Sequence, residues 1–158
     1  MSNVKDAVND FLAQRRIAVA GVSREAAGHG GNVVYKRLRD RGYQVFAVNP
    51  NADSVEGDVC YRDLASIPGG VDAVVIATNA SASDSVVEEC ARLGIRRVWM
   101  HHFMGPGSVS DAATKAGRTA GMSVIAGGCP LMFDPTADFG HKCMRLFTRI
   151  DAGAPSTH

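Results

Sequence analysis

Arg15-Arg16-Ile17-Ala18-Val19-Ala20-Gly21-Val22-Ser23 is the stretch on which the fold turns. From Ile17 to Ala20 every residue is apolar, and the run stops at Gly-x-Ser. Alternating polarity would mark a strand with one wet face, whereas an unbroken run suits a strand buried on both faces of a parallel sheet. The segment from Ser23 to Gly31 is polar and rich in glycine, hence a loop. Beyond it Val33, Val34 and Leu38 oppose Lys36, Arg37, Arg39 and Asp40, which predicts a helix over 32–41 stopped by Gly42. Upstream, Val4, Ala7, Val8, Phe11 and Leu12 recur at helical spacing, so a short amphipathic helix precedes the run.

The same unit then repeats. Tyr43 to Val48 reads as a second strand ending at Asn49-Pro50, and a short piece around Tyr61 to Ile67 leads into Pro68-Gly69-Gly70. Val71 to Thr78 reads as a third buried strand. Ser81 and Asp84 stand at capping-box spacing ahead of a helix over 83–93, which Gly94 ends. Arg97 to His101, a helix over 108–120 and Met122 to Ala126 complete the series, and Trp99 falls inside a strand as a core residue. Phe139, Cys143, Leu146, Phe147 and Ile150 predict a closing helix. Strands alternating with helices imply βαβ crossovers and a parallel sheet with helices on both faces. The expected fold is α/β, a Rossmann-like doubly wound parallel sheet of about five strands in three αβα layers. One domain over 1–158 is expected, with its core at about 15–129, a helix in 1–14 and a helical tail in 131–158.

Composition agrees with a folded domain. The 158 residues are 46% hydrophobic and 21% charged, and 17 Lys and Arg against 16 Asp and Glu leave a net charge of +1. That balance, without a basic stripe, argues against a nucleic-acid partner but permits a locally positive pocket for a small anion. The longest apolar runs, Ile17 to Val22 and Val71 to Ala77, are strand-sized, so no membrane span is expected. Cys60, Cys90, Cys129 and Cys143 form no C-x-x-C pair, and the N-terminal residues lack a signal-peptide pattern; reduced thiols in a cytoplasmic protein are the expectation.

Ligands of open α/β sheets sit beyond the carboxyl ends of the strands, where strand order reverses. The residues there are Gly21-Val22-Ser23, Asn49-Pro50-Asn51, Thr78-Asn79-Ala80, His101-His102 and Gly127-Gly128-Cys129-Pro130. The first loop joins a strand to a helix N-terminus, a place where free amides and the helix dipole favour a phosphate or diphosphate. A nicotinamide-dinucleotide fingerprint would need G-x-G-x-x-G and an acidic residue closing the second strand. Here Ser23 holds the middle position and Asn49 ends the strand, so an adenine nucleotide held in another way is favoured.

Gly21-Val22-Ser23 followed by Val48-Asn49-Pro50, then the segments Gly57 to Pro68 and Val71 to Ala77, resemble the small CoA-binding proteins. These are stand-alone relatives of the CoA-binding N-terminal domain of the succinyl-CoA synthetase α subunit. The resemblance covers about residues 15–129. It implies a site for coenzyme A or an acyl-CoA at Gly21, Val22, Ser23, Arg24, Gly31, Asn32, Lys36, Val48, Asn49, Pro50, Ala77, Thr78, Asn79, His101 and Cys129. The diphosphate would lie over Gly21-Val22-Ser23 and the following helix start, the adenosine near Val48-Asn49-Pro50. Two departures stand out. Asn51 occupies a place that is often basic, which leaves Arg24, Lys36 and Arg62 as the cations for the 3′-phosphate. Gly127-Gly128-Cys129-Pro130 replaces an acidic-Arg-Cys loop.

His101, His102 and Cys129 have no metal-ligand spacing, so no metal is expected, and no Ser–His–Asp set assembles. Cys129 is either a small buried thiol or a partner for the CoA sulfur. Gly21→Val is expected to fill the space of the diphosphate. A non-catalytic CoA-binding protein is the leading expectation, with a partner enzyme or homo-oligomer as its context. Two other readings are an NAD(P)-dependent oxidoreductase and an interaction module without ligand.

Overall fold

The apolar run forms strand β1, Arg16–Ala20, and Ile17, Ala18 and Val19 in it are fully buried. The structure, a computed structural model, describes residues 4–25, 30–102, 107–133 and 150–153. Helix α1 (Val4–Leu12) precedes β1, and α2 (Gly30–Asp40) connects it to β2 (Gln44–Val48). A hairpin of β3 (Ser54–Val55) and β4 (Asp58–Tyr61) follows, then β5 (Ala73–Ile76), α3 (Ala80–Leu93) and β6 (Arg97–Met100). Helix α4 (Asp111–Thr119), β7 (Ser123–Ala126), a 3₁₀ turn at Pro130–Met132 and β8 (Asp151–Gly153) complete the described elements.

The strands order as β3-β4-β2-β1-β5-β6-β7-β8. From β1 the sheet grows through β2 and the β3–β4 hairpin on one side and through β5 to β8 on the other, so the switch point lies between β1 and β5, as in a doubly wound fold. The pairs β1–β2, β1–β5, β2–β4, β5–β6 and β6–β7 are parallel, while β3 and β8 are antiparallel edges. Because side chains alternate along a strand, the core splits into two halves. Ile17, Val19, Val75, Trp99 and Ile125 meet α1 and α2, whereas Ala18, Ala20, Val74, Ile76, Val98 and Val124 meet α3 and α4. The three-layer α/β expectation holds. No helix among the described residues is long and apolar enough to cross a membrane.

Eight described strands replace the expected five or so. Two of the extra ones come from Ser54–Tyr61, where the sequence shows only a loop and a later short piece. The hairpin turns at Glu56 and Gly57, both at positive φ (50° and 80°), as a two-residue turn matching strand twist requires. Such a turn ordinarily carries Asn-Gly or Asp-Gly, and glutamate hides it. Helix α2 starts two residues earlier than expected, and α3 starts at Ala80 rather than 83. The closing helix expected through residues 139–150 falls almost wholly outside the described residues; Ile150 is described, and β8 follows it.

The β3–β4 edge is fastened to α2 through Asp58, which accepts from Tyr35 Oη at 2.7 Å and from Arg39 at 2.8 Å. The Tyr35 and Arg39 hydrogen bonds hold the Asp58 carboxyl below its ordinary range. An unfolded chain therefore binds this proton more readily than the native one, so the link contributes above the unfolded carboxylate range and is lost as pH falls below about 4. Asp58→Asn is expected to cost about 1 kcal/mol at neutral pH. In urea titrations between pH 7 and 3, its deficit relative to wild type should shrink towards the acid end.

Candidate functional site

The carboxyl ends of β1, β2 and β5 converge on the loop Gly21-Val22-Ser23, and side chains buried beneath it fix its course. Asn32, in the first turn of α2 and 1% exposed, accepts from the Ser23 N–H at 2.8 Å and donates to the Ser23 carbonyl at 2.8 Å. Its second amide hydrogen goes to Glu56 Oε1 at 2.9 Å. Asn49 donates to the Val22 carbonyl at 2.9 Å and accepts from the Asn51 N–H at 2.8 Å. Gly21 N–H donates to Val48 at 3.0 Å, and Ser23 Oγ accepts from the Glu25 N–H at 3.1 Å. Asn32 and Asn49 thus shape the loop from below.

Glycine is required at Gly21 for two reasons. Its φ is +98°, and a Cβ there would lie 2.6 Å from the Ala77 carbonyl oxygen and 2.8 Å from Thr78 N. Gly31 is also tightly placed, with a Cβ 3.0 Å from both Ala77 Cβ and the Gly21 oxygen. These glycines let β1, β5 and α2 touch at the switch point. Gly21→Val would therefore strike the end of β5, which replaces the expectation that it simply occupies ligand space.

Beside the loop lies a cleft of about 540 Å³ between β1, β2, β5 and α3. Gly21, Val48, Asn49, Pro50, Thr78 and Asn79 line one side of it, and Ala82, Ser85, Val86, Glu89 and Arg92 of α3 the other. Arg62 and Asp63, just past β4, complete the rim. Asn79 caps α3, accepting from the Ala82 N–H at 2.9 Å and from Ser81 Oγ at 2.8 Å. Ser81 and Asp84 thus give way to Asn79 as the start signal. Ser83 Oγ, buried under Thr78, donates to the Ser108 carbonyl at 2.6 Å, while Ser108 Oγ donates to the Thr78 carbonyl. The loop after β5 is thereby tied to the segment leading into α4.

The residues expected at the site do not all gather there. Six of them line the cleft; Val22, Ser23, Gly31, Asn32 and Ala77 build its floor and the adjoining helix start. His101 packs against that start, its Cε1 2.9 Å from where a Gly30 Cβ would stand. Lys36 pairs with Glu56 at 3.8 Å, and Arg24 is exposed and outside the cleft lining. Cys129, 2% exposed, belongs to the core half facing α1 and α2. Trp99 is fully buried and donates to the Gly127 carbonyl at 2.9 Å. Ala82, Ser85, Val86, Glu89 and Arg92 escaped the sequence reading, although their i, i+3, i+4, i+7, i+10 spacing marks one helix face.

The charged groups of the cleft differ in their ties. Glu89 Oε1 accepts from the Leu64 N–H at 3.0 Å. Asp63 Oδ1 accepts from the Ser66 hydroxyl and, at 2.9 Å, its amide; these bonds foremost, with the Arg92 charge in support, hold the Asp63 carboxyl below its ordinary range. Burial pushes the Cys90 thiol, on the inner side of α3, up to about 12, so it carries no thiolate at neutral pH. Among the described residues no group of three or more His, Cys, Asp or Glu is placed to hold a metal ion.

A sequence model of the CoA binding domain matches residues 15–135. The chain belongs to the CoA-binding domain family. It is similar to ADP-forming acetate–CoA ligase II of Archaeoglobus fulgidus, 35% identical over 91 residues that cover 56% of this chain and 13% of the ligase. The chain thus matches only about an eighth of the length of that relative. An uncharacterized protein of Bacillus subtilis, YneT, is 28% identical over 131 residues, 82% of this chain and 93% of its own. Among solved structures, a hypothetical protein from Pyrococcus horikoshii superposes with a TM-score of 0.73 at 26% identity, over 82% of this chain and 87% of that one.

Two substitutions test the floor. Asn32→Ala would leave the Ser23 amide and carbonyl without partners and is expected to cost about 2–3 kcal/mol. Gly21→Ala, through φ and the contact with Ala77, is expected to cost at least about 2 kcal/mol. Thermal melts that leave either variant as stable as wild type would refute this account of the loop.

Proposed function

We propose that this domain binds coenzyme A or an acyl-CoA and does not itself turn it over. The observation that carries the reading is the position of the cleft. It opens at the β1/β5 switch point, beside Gly21 at the head of the gripped loop, in a chain of the CoA-binding domain family. The walls divide by chemistry. Val48, Pro50, Ala82 and Val86 offer apolar surface for an adenine ring, while the loop and helix start suit a diphosphate.

Ligase activity remains a property of the longer relatives, of which this chain matches a small part. The NAD(P) alternative would use an acceptor at the end of β2 for a ribose diol. Asn49 stands there, with its amide nitrogen on Val22 and its oxygen on Asn51. Cys60 and Cys90, free and buried, accord with a reducing compartment such as the cytoplasm.

Calorimetric titration with CoA, acetyl-CoA and NAD tests the reading. CoA and acetyl-CoA are expected to bind with similar affinity, because the acyl group lies far from the adenosine cleft, and NAD is expected to give no saturable heat. Ala82→Phe, which fills the cleft from α3 without touching the loop, should weaken CoA at least tenfold, worth about 1.4 kcal/mol, at unchanged thermal stability. Tighter binding of NAD would favour the oxidoreductase, and silence towards all three an interaction module.

A further inference from the structure

Arg62 and Arg92 enter the cleft from different elements, one just past β4 and one in the last turn of α3. Neither guanidinium makes a hydrogen bond or an ion pair within 4.0 Å with another described residue, although Arg92 lies near enough to Asp63 to act on its charge. Among the described residues, other arginines are engaged: Arg16 on the Gly70 carbonyl, Arg39 on Asp58, Arg97 on Asp10, Arg118 on Asp151. The carboxylates of the cleft are occupied in turn. Glu89 takes the Leu64 amide and Asp63 takes Ser66, so neither closes on an arginine. The Glu89–Leu64 bond also pins the chain after β4 to α3, and this sets Arg62 and Arg92 on one rim.

We infer that Arg62 and Arg92 form a subsite for a phosphomonoester on the ribose of the bound adenine nucleotide. The inference rests on the adenosine placement proposed above. With an adenine against Val48 and Pro50 the ribose edge would face this rim, where Asn51 brings no positive charge of its own. Two planar, donor-rich cations suit the three oxygens of a phosphate. The 3′-phosphate of coenzyme A and the 2′-phosphate of NADP share this chemistry, and they differ in attachment.

The test compares wild type with Arg62→Ala and Arg92→Ala, both exposed positions whose melts should not move. Wild type is expected to bind CoA about tenfold more tightly than dephospho-CoA, and this ratio should shrink at high salt. Each alanine variant should bring the ratio close to one while leaving dephospho-CoA affinity where it was. A ratio unchanged in both variants overturns the subsite. Adenosine 3′,5′-bisphosphate and its 2′,5′ isomer form the second arm. Arginine-dependent binding of the 3′,5′ compound by a protein that ignores CoA would keep the subsite and end the coenzyme reading. Preference for the 2′,5′ isomer would keep the subsite and assign it to a 2′-phosphorylated nucleotide. Binding of neither isomer nor CoA would end both.

Discussion

A buried carboxamide holds the switch point together. Asn32 meets the donor and the acceptor of one residue, Ser23, and its remaining amide hydrogen is taken by Glu56. Both Asn32 donors are thereby satisfied in a place with almost no access to water, where an unmade hydrogen bond is expensive. The loop that leaves β1 is consequently held from one side by α2 and from the other by Asn49 of the β2 exit. A carboxylate on the β3–β4 turn braces the arrangement, although that turn lies outside the parallel core. Tight approach does the rest, since only hydrogen atoms at Gly21 and Gly31 let three elements meet at Ala77.

Much of this was legible from residue order. Unbroken apolar runs at Ile17, Val74 and Val98 announced strands with two dry faces, and Gly42 and Gly94 announced the ends of helices. The loops beyond the strands were found by topology alone, since residues at carboxyl ends face the ligand side whatever their identity. What stayed hidden depends on pairs distant in sequence. Glu56 at positive φ is atypical for its turn, and its partners Asn32 and Lys36 lie some twenty residues away. Glu89 and Arg92 lie within the helix predicted over 83–93, and only the placement of α3 across the cleft from Pro50 gives them a role there. Asn79 outcompeted Ser81 as a cap because the chain leaves β5 extended, with Asn79 at ψ 161°, which aims its oxygen at Ala82.

The family's longer members set a useful contrast. The ligase of Archaeoglobus fulgidus is matched over a small fraction of its length, whereas YneT is matched nearly end to end at lower identity. The antiparallel edges β3 and β8 are only two and three residues long, which keeps the exposed row of edge amides short.

Trp99 carries an experimental consequence. It is the single tryptophan of the chain, fully buried on the side of the sheet away from α3, edge-on to Phe11 at 5.4 Å and tilted against Phe133 at 5.8 Å. Its fluorescence therefore reports the integrity of the packing between α1 and the sheet, and a nucleotide seated across the β-layer would leave the emission unquenched. One chromophore thus gives an optical readout of unfolding that is separate from occupancy.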